Sequence, residues 1–198
     1  MAAVRLMPVN PLILASGSPR RQEILREAGI DFEVHPPEIC EDMKPGESPL
    51  EYALRLAREK AEKVAREFPQ HFVVGADTIV VVDQESLGKP LDQADAARML
   101  RRLSGRRHEV TTAVSVVSPG KQAETRSATT QVYFRELTEA EIRGYVDSGE
   151  PMDKAGAYAI QGGAAPWVVR LEGEHSNVVG LPITLVTQML RTCGFVQP

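Results

Sequence analysis

Apolar residues along this chain form continuous runs in some places and helically spaced stripes in others. Continuous runs are typical of buried strands, and stripes are typical of helices that cover a sheet. The runs predict strands at 12–14, 72–82, 110–117 and 128–134, with shorter extended pieces at 32–35 and within 152–171. The stripes and their caps predict helices at 20–28, 49–68, 93–103, 138–148 and 182–194. Because helices are interleaved with strands, we expect an α/β or α+β sheet protein rather than a sandwich or a bundle.

The first predicted strand ends in a loop of small residues that leads directly into the first helix. In the run LASGSPRR at 14–21, Ser18 suits the N-cap, because its hydroxyl can accept from a free backbone N–H, and Pro19 suits the first helical position. A strand, a small-residue loop and a helix N-terminus together form an anion site. Arg20 and Arg21 add donors suited to phosphate oxygens. An ordinary helix cap with two solvated arginines is the alternative interpretation.

Asp77 interrupts the long apolar strand predicted at 72–82. A carboxylate is costly to bury unless it is paired, hydrogen-bonded or bound to a metal. The preceding Gly75 and Ala76 leave room for a ligand to approach, and Thr78 adds a hydroxyl. Beside bound phosphates, such a carboxylate can hold Mg²⁺, or it can position and deprotonate an attacking water. A structural aspartate that accepts from backbone N–H groups is the alternative.

Three further charged residues are candidates for a cleft. Lys60 falls on the apolar stripe of the second predicted helix, so it either extends from the core edge to water or points at an anionic ligand. Lys89 lies between a glycine and a proline, in a tight loop from which it can present a charge to a phosphate. A surface lysine in a hairpin is the alternative there. Glu41 lies in an acidic loop and is either a second metal ligand or simply solvated.

The segment 149–163 combines many Gly and Ala residues with polar side chains. This composition implies a close approach of the backbone to a ligand or to another strand. Gln161 has both a donor and an acceptor, so it can recognise a planar base edge or a carbonyl. Asp153 and Lys154 can form a charged pair at the same cleft. A twisted hairpin with a glutamine in its turn is the alternative.

The composition limits the classes of function. The 198 residues carry a formal net charge of −4, which argues against nucleic acid held by a broad basic face but not against a small phosphate ligand. No apolar stretch reaches the ~20 residues that a membrane-spanning helix needs. Cys40 and Cys193 have no metal or redox spacing, and neither do the four histidines. We therefore expect a cytoplasmic protein that binds neither nucleic acid nor membrane.

Taken together, the ordered motifs resemble the Maf family of nucleotide pyrophosphatases, from about residue 12 to residue 190. The stretches that carry the resemblance are ASGSPRR at 15–21, GADT at 75–78, GKP at 88–90, LSG at 103–105, GEPMDKAG at 149–156, IQG at 160–162 and VGLP at 179–182. Several motifs in the family's order are far more specific than any one of them.

The resemblance implies hydrolysis of a nucleoside triphosphate to the monophosphate and pyrophosphate, aided by a divalent cation, Mg²⁺ or Mn²⁺. It implies one domain over 1–198, with a mixed twisted sheet and flanking helices in two lobes around a cleft, similar to inosine triphosphate pyrophosphatases. Asp77 matches the family's catalytic acid/base position, and Lys89 is expected to act with it. Glu41 and Asp77 are the expected metal ligands. The expected substrate-binding residues are Ser16, Ser18, Arg20, Arg21, Lys60, Thr78 and Gln161.

The resemblance also indicates a base preference. Arg20, Thr78 and Gln161 match the branch associated with dTTP and UTP, whereas the branch associated with 7-methyl-GTP tends to carry Trp, Gln and Glu. Ala159 and Trp167 depart from the family pattern near the expected base pocket. Modified pyrimidine triphosphates are alternative substrates, since a methyl group in an apolar pocket changes binding by only ~1–3 kcal/mol.

A different function follows from the family's link to septum formation and division arrest. On this alternative, the chain is a non-catalytic regulator that acts through a partner in the division machinery. The set of phosphate-cleft residues argues against binding alone, although not against a dual role. The resemblance also leads us to expect a homodimer.

Overall fold

The computed structural model describes residues 11–196, so the ends of the predicted domain, 1–10 and 197–198, lie outside the described residues. The strands are β1 (Leu12–Leu14), β2 (Glu33–Val34), β3 (Phe72–Val82), β4 (Glu85–Leu87), β5 (Arg107–Val117), β6 (Glu124–Phe134) and β7 (Val168–Glu172). The helices are α1 (Pro19–Glu27), α2 (Pro49–Glu67), α3 (Gln93–Leu103), α4 (Glu139–Asp147), α5 (His175–Val179) and α6 (Ile183–Thr192). No helix within the described residues is long and apolar enough to cross a membrane.

The seven strands form one mixed sheet in the order β2-β1-β3-β5-β6-β7, with β4 paired to β3. β1 runs parallel to its neighbours β2 and β3, and the remaining pairs are antiparallel. The largest group of buried apolar residues joins the sheet to α1, α3, α4 and α6. The predicted mixed sheet with flanking helices is confirmed.

The unequal lengths of β1 and β3 position the cleft. β1 has three residues and ends with Leu14 opposite Val74, whereas β3 has eleven residues and continues beyond it. The short strand β4 pairs only with the far end of β3, at 80–82. Along this edge of β3, the middle of the strand, which contains Asp77, therefore lies in a gap between the end of β1 and the start of the pairing with β4. The loop that follows β1 passes this gap, and its Ala15 N–H donates to the carbonyl of Val74 at 2.8 Å.

Helix α2 packs closely against β3 and brings Lys60 to Asp77. The approach depends on Gly75, which has no side chain. A Cβ at this position would lie 2.5 Å from the carbonyl oxygen of Ala57 and 2.8 Å from the backbone nitrogen of Ala61. The helix backbone thus occupies the space that any other residue on the strand would need.

The Gly75→Ala substitution is expected to lower the free energy of unfolding by about 1–3 kcal/mol, because overpacking forces α2 away from the sheet. The matched control is Gly144→Ala in α4, where an added Cβ meets nothing within 4 Å. There alanine should stabilise the helix by roughly 0.5–1 kcal/mol. Urea unfolding measures both effects, and an unchanged midpoint for Gly75→Ala would contradict the close approach.

The region 152–171 differs from its prediction. Its first part forms 3-10 turns at Glu150–Asp153, Ala155–Ala157 and Ala165–Trp167 instead of short strands, and only its end forms a strand, β7, which begins at Val168. Gly149 and Gly156 have φ of 77° and 70°, in the left-handed region, and such residues interrupt an extended strand. The prediction was also incomplete elsewhere. β4 and α5 were missed, because three and five residues are too few to show a period.

Candidate active site

A cleft of about 760 Å³ opens where β1 ends beside the middle of β3. Its walls come from the loop after β1, the acidic loop before α2, β3, the end of β4, the segment 153–161 and the end of α5. The lining includes all the site residues predicted from the sequence: Ser16, Ser18, Arg20, Arg21, Glu41, Lys60, Asp77, Thr78, Lys89 and Gln161. The fold therefore brings together motifs that are widely separated along the chain.

Lys60 lies between two carboxylates at the floor of the cleft. Its Nζ is 2.7 Å from Asp77 Oδ1 and 2.7 Å from Glu41 Oε1. Lys60 and Asp77 are each only 8% exposed, whereas about half of the Glu41 side chain is exposed. Lys60 thus points into the cleft and does not extend to water. Asp77 Oδ1 accepts from this ammonium group, and among the described residues no backbone N–H donates to the carboxylate.

The two carboxylates differ in their affinity for protons. Burial raises the pKa of Asp77, and the charge and hydrogen bond of Lys60 with the charge of Arg21 offset only part of this effect. Burial acts in the same direction on Glu41. There, however, Lys60, Lys89 and Arg21 outweigh burial and lower the pKa of Glu41. The fold thus raises the proton affinity of Asp77 and lowers that of Glu41, and a raised proton affinity suits an acid/base residue.

Arg21 is held by three hydrogen bonds across the floor of the cleft. Its Nε donates to the carbonyl of Gly180 at 2.8 Å, its Nη1 to Ser16 Oγ at 3.1 Å and its Nη2 to Thr78 Oγ1 at 3.1 Å. Burial lowers the pKa of Arg21, although the charge of Asp77 opposes this effect. A guanidinium group stays charged in proteins nonetheless. Arg21 thus fixes the loop after β1, the strand β3 and the end of α5 relative to one another.

The start of α1 differs in one detail from its prediction. Ser18 has the extended backbone of an N-cap and Pro19 is the first helical residue, but the Ser18 side chain makes no capping hydrogen bond. The predicted side-chain cap is therefore wrong. Instead, the Ser18 N–H donates to Ser16 Oγ at 3.3 Å. The Ser18 hydroxyl has no hydrogen-bond partner within the described residues, so it is available to a ligand.

Basic side chains line the mouth of the cleft. Arg20 is 35% exposed, and its Nη1 lies 4.0 Å from Asp153 Oδ2. The predicted pair of Asp153 with Lys154 is present, at 2.5 Å. Lys89 is exposed, and its charge contributes to the lowered pKa of Glu41. This concentration of positive charge suits a polyanionic ligand.

Thr78 and Gln161 have different surroundings, although both match the branch of the family associated with dTTP and UTP. The Thr78 hydroxyl accepts from Arg21 and lies 2.9 Å from Thr112 Oγ1, so it supports the arginine from within the protein. Gln161, by contrast, is exposed and lies on a turn. The turn is closed by a hydrogen bond from the Gly162 N–H to the Ala159 carbonyl at 3.1 Å. Base recognition by Gln161 stays a prediction.

Some contributors to the site were missed by the sequence analysis. The Tyr52 hydroxyl donates to the carbonyl of Glu41 at 2.8 Å and holds the acidic loop near the cleft. Burial raises the pKa of Tyr52 to about 12, so the hydroxyl keeps its proton at neutral pH. Thr112 Oγ1 donates to the Asn177 carbonyl at 3.0 Å and fixes α5 to the sheet. These contacts use backbone carbonyls, which leave no signal in a sequence.

Asp77 and Glu41 have the chemistry that a divalent cation requires. Each directs one oxygen at Lys60, and the second oxygen of each has no hydrogen-bond partner among the described residues. Mg²⁺ usually binds one or two carboxylates together with substrate phosphates and waters. Within residues 11–196, no group of three or more His, Cys, Asp or Glu forms a metal site from the protein alone. A cation at this position therefore depends on ligand oxygens as well.

A mixed sheet that joins a buried carboxylate to a basic cleft defines an α/β enzyme for a phosphate-bearing ligand. The comparison with protein families makes this class specific. The model of Maf-like proteins matches residues 11–193. The chain belongs to the Maf family.

Individual relatives cover nearly the whole chain. A dTTP/UTP pyrophosphatase of Koribacter versatilis (strain Ellin345) is 53% identical over 92% of this chain and 94% of its own length. A dTTP/UTP pyrophosphatase of Geotalea uraniireducens (strain Rf4) is 51% identical over 94% of this chain and 96% of its own length. Among solved structures, a HAM1 protein from Coxiella burnetii has a TM-score of 0.50 at 16% identity, over 92% of this chain and 99% of that one. This structural likeness concerns the fold alone.

Proposed function

We propose that this protein is a nucleoside triphosphate pyrophosphatase that hydrolyses dTTP and UTP to the monophosphate and pyrophosphate. The observation that carries the proposal is the buried pair of Asp77 and Lys60 at the floor of a cleft that also contains Arg20, Arg21 and Lys89. The relatives named dTTP/UTP pyrophosphatase support the substrate assignment, because they align with nearly the whole chain.

In the proposed reaction, water attacks the α-phosphorus and pyrophosphate leaves. Asp77 accepts the proton of the attacking water, a role favoured by its raised pKa. Lys60 orients the Asp77 carboxylate through the 2.7 Å hydrogen bond. Arg20, Lys89 and the N-terminus of α1 stabilise the charge of the phosphates. Phosphoryl transfer depends largely on such positioning and electrostatics.

A divalent cation, Mg²⁺ or Mn²⁺, is the proposed cofactor, with Asp77 and Glu41 as its protein ligands. When bound, it would neutralise phosphate charge and lower the pKa of a bound water. Both carboxylates have an oxygen that is not used by Lys60, so the lysine and the cation do not compete for the same atoms.

The test is pyrophosphate release from a panel of triphosphates: the common nucleotides, 7-methyl-GTP and several modified pyrimidine nucleotides. Each is measured with Mg²⁺, with Mn²⁺ and with EDTA. Preferential, cation-dependent turnover of dTTP and UTP is the expected result. A preference for 7-methyl-GTP would keep the reaction and overturn the base assignment. Absence of turnover would favour the regulator with a division-machinery partner, which a pull-down would then identify.

The homodimer is a separate proposal, which rests on the resemblance to the Maf family. Sedimentation equilibrium of the purified protein measures it directly. A single species at twice the mass of 21.7 kDa is the expected result, and a monomer over the accessible range of concentration would contradict it.

The Gln161→Glu substitution is expected to lower kcat/KM for UTP by about 10–100-fold, because a carboxylate cannot donate to a base carbonyl and leaves that group unpaired. Inhibition by tripolyphosphate, which has no base, should stay within about twofold of wild type. The matched control is Gln131→Glu on β6, outside the cleft lining. Equal losses for UTP turnover and tripolyphosphate inhibition would contradict base recognition by Gln161.

A further inference from the structure

The turn that carries Gln161 is held by two side chains outside the cleft lining. Both carboxylate oxygens of Glu150 accept from the Gly163 N–H at 3.2 Å. The Tyr145 hydroxyl donates to Glu150 Oε1 at 2.9 Å and accepts from the Ala159 N–H at 3.0 Å. The two side chains thus bind the backbone on both sides of Gln161, and we call them the turn clamp.

The glycines after Gln161 fit tightly against this turn clamp. A Cβ at Gly162 would lie 1.8 Å from Glu150 Oε1, and a Cβ at Gly163 would lie 3.1 Å from the ring of Tyr145. No other residue type fits at Gly162 without displacing the carboxylate. The absence of a side chain at Gly162 thus allows the Glu150 carboxylate to reach the backbone of the turn.

The turn clamp is itself anchored to the body of the protein. Tyr145 lies on α4, is 7% exposed, and packs edge-on against Trp167 with ring centroids 4.9 Å apart. Burial raises the pKa of Tyr145, so its hydroxyl keeps the proton that it donates. The backbone of Glu150 is fixed as well, because its N–H donates to Ser148 Oγ at 3.2 Å and its carbonyl accepts from Lys154 Nζ at 2.8 Å.

We propose that Glu150 and Tyr145 are positioning residues that determine base specificity. They hold the turn in the one conformation in which Gln161 faces the base. Neither side chain lines the cleft, so both act through the turn and not by touching the substrate. This inference rests on the proposed function, because recognition of the base by Gln161 is part of it.

The kinetic test uses Tyr145→Phe, which removes one oxygen and keeps the packing against Trp167. We expect kcat/KM for UTP and dTTP to fall about tenfold, mainly through KM, because the turn no longer presents Gln161. Turnover of a poor purine substrate should not change. The ratio of kcat/KM for pyrimidine substrates to kcat/KM for this purine should therefore fall by the same factor. The control is Tyr133→Phe, because the Tyr133 hydroxyl lies 3.1 Å from Gln131 Oε1 and 3.0 Å from Glu172 Oε2, away from the cleft.

A second measurement requires no substrate. Hydrogen exchange at the amides of Ala159 and Gly163 should accelerate about tenfold in Tyr145→Phe and in Glu150→Gln, and should stay unchanged in Tyr133→Phe. Glu150→Gln preserves the shape of the side chain and serves if Tyr145→Phe does not fold. Unchanged exchange at both amides would overturn the turn clamp.

The two proposals fail in different ways. If wild type hydrolyses no pyrimidine triphosphate, the proposed function is overturned and the specificity role falls with it. If wild type prefers pyrimidines, but both variants keep the wild-type preference while exchange accelerates, only the present inference is overturned. Accelerated exchange together with a narrowed preference is the result that we expect.

Discussion

The Asp77→Asn variant is expected to fold and to lose about 10²–10⁴-fold in kcat, the usual range for removal of a general acid/base residue. Asparagine has nearly the shape of aspartate and its oxygen still accepts from Lys60. An amide cannot take a proton from water, however, and it is a weaker ligand for a cation. The loss should therefore appear in kcat far more than in the unfolding midpoint, and pyrophosphate release with saturating dTTP measures it.

The control for this substitution is Asp83→Asn, in the turn between β3 and β4. Asp83 is exposed and pairs with Arg106 at 2.6 Å, and exposed ion pairs contribute little to stability. Its φ of 53° is a conformation that asparagine tolerates well. Activity within about twofold of wild type is expected. If Asp77→Asn behaved in the same way as this control, Asp77 would not be the acid/base residue.

The sequence predicted the long elements well, and the residues that it grouped as a candidate site line one cleft in the structure. Eleven consecutive residues of β3 are almost all apolar, so both the strand and the exceptional Asp77 are visible in the sequence. The motifs that line the cleft lie on segments next to the gap between β1 and β4. The resemblance to the Maf family had placed these motifs in one candidate site. The local sequence pattern and the family resemblance thus indicated the same candidate site.

The orientation of Lys60 shows where the sequence was insufficient. Its position on the apolar stripe of α2 allowed either an exposed or an internal ammonium group. The choice depends on how closely α2 approaches β3, and that distance depends on Gly75, fifteen residues further along the chain. A contact between two elements is set by their relative placement, which no local pattern contains.

The surroundings of Arg21 show a second limit. The sequence placed it at a helix N-terminus as a phosphate ligand. In the structure its three donors bind Ser16, Thr78 and the carbonyl of Gly180, so much of its hydrogen-bonding capacity serves to hold the cleft together. The same residue type suits both roles, and only the position of its acceptors distinguishes them.

The Lys60→Met substitution is expected to lower the free energy of unfolding at neutral pH by about 3–5 kcal/mol, the usual result of removing one partner of a buried ion pair. The methionine fills the space of the lysine stem but leaves the Asp77 carboxylate buried without its hydrogen bond. The control is Lys63→Met, an exposed position on the same helix, which should change stability by less than about 0.5 kcal/mol. Urea unfolding in EDTA measures both variants without a bound cation.

The pH dependence of the Lys60→Met defect identifies its cause. Burial already holds the pKa of Asp77 above its ordinary value of 3.8, and loss of the lysine charge should raise it further. A carboxyl group whose pKa is raised by folding binds protons more tightly in the folded state, so its stabilising effect is complete at low pH and is lost as the pH rises. The difference between wild type and Lys60→Met should therefore be largest at neutral pH and shrink towards pH 3.8. The double variant Lys60→Met/Asp77→Asn removes the buried carboxylate and leaves only the half-exposed Glu41 without its lysine partner. It should recover at least half of the loss and show a weaker pH dependence. A loss that is equal at all pH values and is not recovered by the double variant would mean that Lys60 stabilises the fold by packing and not by its charge.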